Sequence, residues 1–221
     1  MFNKKIFLLI SFLCICGLVV FTGCSLNVQE LAKESISEKV EVYFSGTGDF
    51  SANISSGYRE EPYIHNGKTA EIKDFAIVTL ILGVDAKFVE AEITINDKTD
   101  TILLEQDILT SEHLVDLAYR VKEDDNISVK YKDNVVELEC KSKEFVTTSD
   151  MALEIGTTAF DKDLEKLISK EKLSAECYLR VINNPNDKFN RLFWYFYIYA
   201  ENGTTYYCVI NIDDGNILIK N

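Results

Sequence analysis

The side chains that could do chemistry are few in this chain and widely spaced. Two histidines, His65 and His113, stand alone, without a second histidine or a glutamate at the spacing of a zinc site, and we interpret both as solvent-exposed loop residues. Residues 46–48 hold two glycines but lack the third glycine and the following helix of a phosphate-binding loop. Acidic runs at 123–126 and 213–216 lack the alternating spacing of a calcium loop. The sequence therefore indicates no catalytic, cofactor-binding or metal-ligating residues, and we expect no cofactor.

The N-terminus has the pattern of an export signal. Two lysines precede an apolar run over residues 6–21, and small residues follow it. The run is shorter than the roughly 20 residues that a membrane-spanning helix needs. Phe21-Thr22-Gly23-Cys24 resembles the lipobox of bacterial lipoproteins. That resemblance implies cleavage of residues 1–23 and attachment of a diacylglycerol, with acyl chains such as palmitate, to the thiol of Cys24. A plain signal peptide and an uncleaved anchor are the alternatives.

The composition limits the classes of partner. The chain has 23 basic and 36 acidic residues, so its net charge is −13, and loss of Lys4 and Lys5 with the signal would make it −15. Nucleic acids and anionic lipid surfaces attract clustered lysine and arginine, so a strongly acidic body argues against both. We therefore expect the lipid on Cys24 to be the membrane attachment and the protein to lie on the outer face of the cell membrane.

Three cysteines remain in the predicted mature chain. Cys140, Cys177 and Cys208 are an odd number, and their spacing matches no zinc motif. Buried, inert thiols are the simplest interpretation. A disulfide between Cys177 and Cys208 stays open.

Hydrophobic patterning divides the mature chain at about residue 143. We interpret residues 24–39 as a polar tether. In residues 40–143, short apolar and alternating runs separated by turn signals indicate about seven strands, which is typical of an antiparallel β-sandwich. Residues 111–120 interrupt these runs with a pattern that could form one or two helical turns.

Residues 144–221 have a different pattern. Apolar residues from Ala152 to Ile168 recur at steps of three and four, which predicts one helix of about 20 residues. Alternating runs then predict three or four antiparallel strands. The expected fold class is α+β, with an N-terminal antiparallel β-sandwich followed by a helix packed on a three- to four-stranded antiparallel sheet.

The strand at residues 192–200 is unusually aromatic. If Asn202-Gly203 forms a two-residue hairpin turn, Tyr206 faces Tyr199 on the next strand. One sheet face would then present an aromatic patch, and tyrosine suits interfaces because it joins contact area to a polar tip. The predicted interaction patch is made of Tyr195, Tyr197, Tyr199 and Tyr206. A contact between domains or a sheet covered on both faces is the alternative.

Two stretches carry a resemblance to a known family. They are the aromatic strand Trp194-Tyr195-Phe196-Tyr197-Ile198 and the ending at residues 207–218, with its acidic residues, glycine turn and short final strand. Together with the preceding helix they resemble the PepSY domains of bacterial exported proteins. The resemblance implies a non-enzymatic domain that binds or restrains a protein partner. The first unit looks loosely like the β-sandwich domains of lipoproteins of Gram-positive bacteria.

Two hypotheses about function follow from the sequence. The first is a membrane-tethered, non-enzymatic binding or regulatory module of the cell envelope with an envelope protein as partner. The second is a cell-envelope hydrolase with an unrecognised carboxylate site. The first expects a patch on the sheet, whereas the second expects a pocket lined by two acids with raised pKa values.

Overall fold

The computed structural model describes residues 27–183 and 191–221. The predicted signal segment 1–23 and the predicted lipid-attachment residue Cys24 lie outside these ranges. Three α-helices and one short 3₁₀ helix are described; they are α1 (Val28–Glu34), the 3₁₀ helix (Lys141–Glu144), α2 (Ser149–Ala159) and α3 (Asp161–Glu165). The helix predicted over residues 152–168 is thus two helices, because the backbone leaves helical geometry at Phe160.

Strands make up most of the described chain. In the first part they are β1 (Ile36–Thr47), β2 (Ser51–Glu61), β3 (Glu71–Ile81), β4 (Phe88–Ile95), β5 (Lys98–Gln106), β6 (His113–Leu117), β7 (Ile127–Tyr131) and β8 (Asn134–Cys140). In the second part they are β9 (Ile168–Ser169), β10 (Lys172–Leu173), β11 (Ala175–Asn183), β12 (Leu192–Ala200), β13 (Thr205–Asn211) and β14 (Ile217–Lys220). Residues 113–117 are therefore a strand, and the helical turns expected at 111–120 do not form.

The predicted fold class is wrong. The structure is mostly β, and β1-β2-β3-β6-β5-β4-β7-β8 close into an eight-stranded antiparallel barrel instead of a sandwich. The ring closes where Phe44 and Ser45 of β1 pair with Cys140 and Glu139 of β8. Strands β11–β14 continue the same sheet beyond β1, since β11 pairs with β1 in parallel.

The long strand β1 explains this difference. Its beginning pairs with β11 and its end pairs with β8, while β2 runs along most of its other side. A register shift with β2 lies between Val40 and Val42, where the strand changes partners. Gly46 permits the closure, because a Cβ atom there would lie 2.3 Å from the carbonyl oxygen of Glu137 on β8. Sequence alternation assigns faces to a strand but does not specify these partners.

Two hydrophobic cores lie on the two parts of this sheet. The barrel interior holds side chains from all eight strands of the ring, among them the buried Phe44, Ile54, Leu80, Leu104 and Val129 and, from β6, the partly buried Val115 and Leu117. The second core lies between the helices and one face of β11–β13, where Gly156 of α2 contacts the Phe196 ring so closely that a Cβ would lie 2.4 Å from it. Trp194 also belongs to this core and donates from Nε1 to the Thr147 carbonyl at 2.7 Å.

Residues 28–39, assigned from the sequence to the tether, are placed in α1 and the start of β1. Val28 and Ala32 of α1 and Ile36 of β1 are buried in the second core. The helix begins after Asn27, whose side chain accepts a hydrogen bond from the Gln29 amide at 3.1 Å. In the sequence, three residues lie between Cys24 and the first residue of α1.

Within residues 27–183 and 191–221 the three cysteines, Cys140, Cys177 and Cys208, are free thiols. Cys177 lies on β11 and Cys208 on β13, with β12 between them, so no disulfide joins them. Burial raises the pKa of each of these two thiols to about 12, which keeps them protonated and inert at neutral pH.

Candidate functional site

Strands β11 and β12 place polar and aromatic side chains on the sheet face opposite the helices. Alternate residues of a strand share a face, so Trp194, Phe196 and Ile198 enter the core while the tyrosines between them point outward. The pairing of the two strands sets Tyr178 beside Tyr197 and Arg180 beside Tyr195.

The β12–β13 hairpin brings Tyr207, and not Tyr206, to this face. Ala200 N donates to the Thr204 carbonyl at 2.9 Å, so the loop between them has three residues instead of the two expected. Its last residue, Gly203, has φ 81°, as a glycine in such a loop does. The extra residue shifts the register by one, which pairs Tyr207 with Tyr197. The Tyr206 ring instead lies on the core side, 5.6 Å from the ring of Phe160.

The structure therefore brings together three of the four predicted patch residues. Tyr195 and Tyr197 have nearly parallel rings 6.1 Å apart, and Tyr207 lies 5.8 Å from Tyr195. His65, from the loop between β2 and β3, lies within 6.5 Å of the rings of both Tyr197 and Tyr199. We name this surface the tyrosine face; it consists of His65, Tyr178, Tyr195, Tyr197, Tyr199 and Tyr207.

A buried carboxylate holds the loop that carries His65. Glu176 is fully buried and accepts hydrogen bonds from the Asn66 amide at 3.2 Å and the Lys68 amide at 2.9 Å. It also accepts one from the Tyr178 hydroxyl at 2.6 Å. Burial, and then this hydrogen bond, raises the pKa of Tyr178 far above its ordinary value. The loop is thereby fixed over Tyr178, whose ring lies 4.8 Å from that of His65.

A second carboxylate holds the other end of the loop. Glu60 accepts a hydrogen bond from the Ala70 amide at 2.9 Å through Oε2, whereas its buried Oε1 has no partner among the described residues. Burial raises the pKa of Glu60, and the charge of Glu176 raises it further. Gly67 lets the loop pack on the β12–β13 turn, because a Cβ there would lie 2.5 Å from the Glu201 nitrogen.

An ion pair crosses from β1 to β11 beside this loop. Arg180 donates to both carboxylate oxygens of Glu38, at 2.6 and 3.0 Å, and the Glu38 side chain is almost wholly buried. The same guanidinium donates to the hydroxyl of Tyr63, and its carbon lies 5.8 Å from the centre of the Tyr63 ring. Such a two-pronged pair fixes the arginine in place.

The β2–β3 loop and strands β11 and β12 border an open cavity of about 330 Å³. It is lined by His65, Tyr178, Arg180, Tyr195 and Tyr197. Aromatic walls with hydroxyl tips and one arginine can contact an apolar or mixed surface through ring faces and hydrogen bonds. In residues 27–183 and 191–221 no group of three or more histidine, cysteine or acidic side chains could hold a metal ion.

Sequence reasoning missed the residues that the β2–β3 loop and β1 contribute. His65 lies in a loop and is exposed, as predicted, but the sequence did not place it beside the tyrosines and did not single out Tyr63, Glu38 or Glu60. The alternation of Glu176, Tyr178 and Arg180 was visible in the sequence and could have located the outward face of β11. His113, which was expected in an exposed loop, is buried on β6, where Nε2 lies 2.6 Å from the Ala86 carbonyl oxygen.

Comparisons with protein families, curated proteins and solved structures find nothing that matches this chain. Across the part of the chain that the structure describes, no helix is long and apolar enough to cross a membrane.

Proposed function

We propose that this chain is a membrane-tethered, extracytoplasmic binding module that holds an envelope protein on its tyrosine face and catalyses no reaction on it. The observation that carries the proposal is the convergence of five tyrosines from β11, β12 and β13, together with His65, on one preformed surface. The sequence of the last strands resembles that of PepSY domains, and this resemblance stays a prediction.

The tyrosine face suits a protein partner for two physical reasons. Tyr195, Tyr197, Tyr199 and Tyr207 are each half-buried, so their rings are already ordered by neighbours yet still offer surface. A side chain that is ordered before binding loses less conformational entropy when the partner arrives. Tyrosine is also enriched at interfaces, where hydroxyl tips make hydrogen bonds across a largely apolar contact.

The carboxylates near the face support binding over hydrolysis. Three oxygens of Glu60 and Glu176 accept hydrogen bonds from backbone amides of the β2–β3 loop. Neither side chain lines the cavity beside the tyrosines, and Glu60, which borders a separate cavity of about 330 Å³ next to β3, is itself only 1% exposed. Acids that hold a loop from inside the fold are not placed to transfer protons to a substrate.

The lipid on Cys24 is the proposed anchor. With only residues 25–27 between Cys24 and α1, the body would be held close to the outer face of the membrane. Two acyl chains hold a protein stably on a bilayer, whereas a single chain does so only marginally.

Crosslinking from inside the face tests the proposal. A photoreactive amino acid is placed at position 197 in the living cell, and a matched control carries it at the exposed position 103 on the barrel. The captured protein is purified, and its affinity is measured for the natural chain and for Tyr195→Ala, Tyr197→Ala and Leu103→Ala.

We expect each tyrosine variant to weaken binding about 10- to 30-fold, as truncation of an interface tyrosine does. Leu103→Ala should leave the affinity unchanged. Equal affinities for all four chains would contradict the proposal, as would capture from position 103 alone.

A further inference from the structure

The last strand forms an unprotected edge of the large sheet. In the described ranges β14 pairs with β13 and with no other strand. Its apolar side chains Ile217, Leu218 and Ile219 are 39, 54 and 53% exposed. Free strand edges carry a row of unpaired amide and carbonyl groups that another extended chain can pair with.

The backbone of β14 is oriented for such pairing. Asn221 and Tyr207 exchange both backbone hydrogen bonds, at 3.0 and 3.4 Å. Antiparallel strands alternate between residues that bond to the partner strand and residues that point away from it. The amide and carbonyl of Lys220, one residue earlier, therefore point away from β13 towards the free edge.

The lysine that could protect this edge is engaged elsewhere. Natural proteins often blunt an edge strand with a charged side chain, and Lys220 is the charged residue within β14. Its ammonium group donates to the Ala159 carbonyl at the end of α2 and lies 4.7 Å from the centre of the Phe160 ring. The side chain thus folds back onto the helices, and no charged side chain of β14 covers the edge.

An apolar groove of about 400 Å³ runs between α2 and this edge. We name it the edge groove; it is lined by Met151, Glu154, Ile155, Thr158, Ala159 and Ile217. A strand added beside β14 would point every second side chain to the helix side of the sheet, towards this groove. An edge strand next to a helix gives an incoming peptide both backbone hydrogen bonds and side-chain contacts.

The charge of the groove selects the kind of peptide. Glu154 is the one ionisable residue of the lining, and no cation lies within 4.0 Å of its carboxylate among the described residues. Asp213 and Asp214, in the turn that leads into β14, have no cationic partner in that set either. Each copy of this chain carries a net charge of −13, so two copies repel each other and self-pairing is disfavoured.

We propose that the edge groove binds an extended basic segment of a partner by strand addition to β14, and that apolar residues and a lysine or arginine share the face of this strand that points to the helices. The apolar residues of that face enter the groove against Met151 and Ile155. The basic residue of the same face lies near Glu154, and a basic residue beside the strand end lies near the turn at 213–214. This surface is distinct from the tyrosine face, since it lies on the helix side and at the edge of the sheet.

Two synthetic peptides of about eight residues test the proposal. In the first peptide one strand face carries valine and lysine in turn, with threonine on the other face, and in the second peptide glutamate replaces each lysine. Their affinities are measured by fluorescence anisotropy with the full mature chain, with Glu154→Lys and with Glu137→Lys. The last variant makes the same charge change at an exposed position of β8 and serves as the control. Hydrogen exchange then locates the bound peptide.

We expect the lysine peptide to bind the natural chain and to slow exchange of the Lys220 amide. Glu154→Lys should lower the affinity for the lysine peptide about tenfold and raise the affinity for the glutamate peptide. Glu137→Lys should change neither affinity by more than about twofold. Absence of binding, equal effects of the two variants, or protection confined to β12 would overturn the proposal. Tyr197→Ala should leave the affinity of the lysine peptide unchanged, which separates this site from the tyrosine face.

Discussion

The Tyr178 hydroxyl donates to the Glu176 carboxylate at 2.6 Å within the same strand, and both side chains are buried. The tyrosine ring forms the floor of the cavity, and the carboxylate holds the loop that covers it. Rigid geometry at the tyrosine face therefore depends on one acid that a binding partner would never touch.

Replacing Glu176 by alanine should destabilise the fold. The change would leave the amides of Asn66 and Lys68 and the Tyr178 hydroxyl without their acceptor in a buried site. Loss of a shared buried acceptor costs about 3 kcal/mol or more. Urea unfolding followed by tryptophan fluorescence measures the change, with Glu137→Ala as the exposed control. A loss below about 0.5 kcal/mol would mean that the loop does not depend on this carboxylate.

The raised pKa of Glu60 predicts a pH-dependent effect of Glu60→Gln. A raised pKa means that the folded chain holds this proton more tightly than the unfolded chain, whose value is near the ordinary 4.5. The contribution to stability is thus fully present below about pH 4.5 and is lost as the pH rises through the raised pKa. The glutamine retains an oxygen for the Ala70 amide and removes the charge.

We therefore expect Glu60→Gln to be more stable than the natural chain at about pH 7, with a difference that shrinks as the pH falls to about 4. The free energy of unfolding is measured across that range for both chains. If the variant is less stable than the natural chain by the same amount at every pH, the charge on Glu60 does not destabilise the folded chain.

Local signals in the sequence located many elements but not their partners. Alternation identified the outward tyrosines of β12, since the faces of a strand follow from its period of two. The register of β12 with β13 could not be predicted, because Asn202-Gly203 fits both a two-residue and a three-residue loop. The barrel depends on Gly46 approaching Glu137, a contact between residues about ninety positions apart that no local pattern records.

For the candidate site, the sequence predicts which residues of one strand share a face but not which loop residues join them. Tyr195, Tyr197 and Tyr199 share one strand, so their common face follows from the sequence alone. His65 and Tyr63 reach that face through the fold of the β2–β3 loop, which depends on buried acceptors from two other strands.

The one-residue register shift predicts opposite roles for two neighbouring tyrosines. Tyr206→Ala should lower stability by about 2 kcal/mol, because its ring packs on Phe160 at the edge of the second core. Tyr207→Ala should change the free energy of unfolding by less than about 1 kcal/mol, and it should instead weaken binding of the captured partner. Thermal unfolding and partner affinity, measured on both variants, give the comparison. If Tyr207→Ala lowers stability and Tyr206→Ala weakens binding, the hairpin has the two-residue turn.

Closure of the barrel should depend on the absence of a side chain at residue 46. In Gly46→Ala the new methyl group would meet the Glu137 carbonyl and the side chains of Val136 and Leu138, all within 2.8 Å. A contact with backbone cannot be relieved by rotating a side chain, so β8 must move away from β1. We expect a loss of about 2 kcal/mol or more and faster amide exchange at Cys140. Ser45→Ala, at the adjacent seam position, is the control and should cost less than about 1 kcal/mol.

The proposed lipid anchor predicts the fate of Cys24→Ser. Serine cannot take the diacylglycerol through a thioether, and an acidic body with a predicted net charge of −15 is repelled by an anionic membrane surface. We expect the variant to appear in the medium or to accumulate as an uncleaved precursor, whereas Cys140→Ser should stay with the membrane. Fractionation and mass spectrometry of the N-terminus distinguish these outcomes. A processed Cys24→Ser chain that remains on the membrane would show that another part of the molecule holds it there.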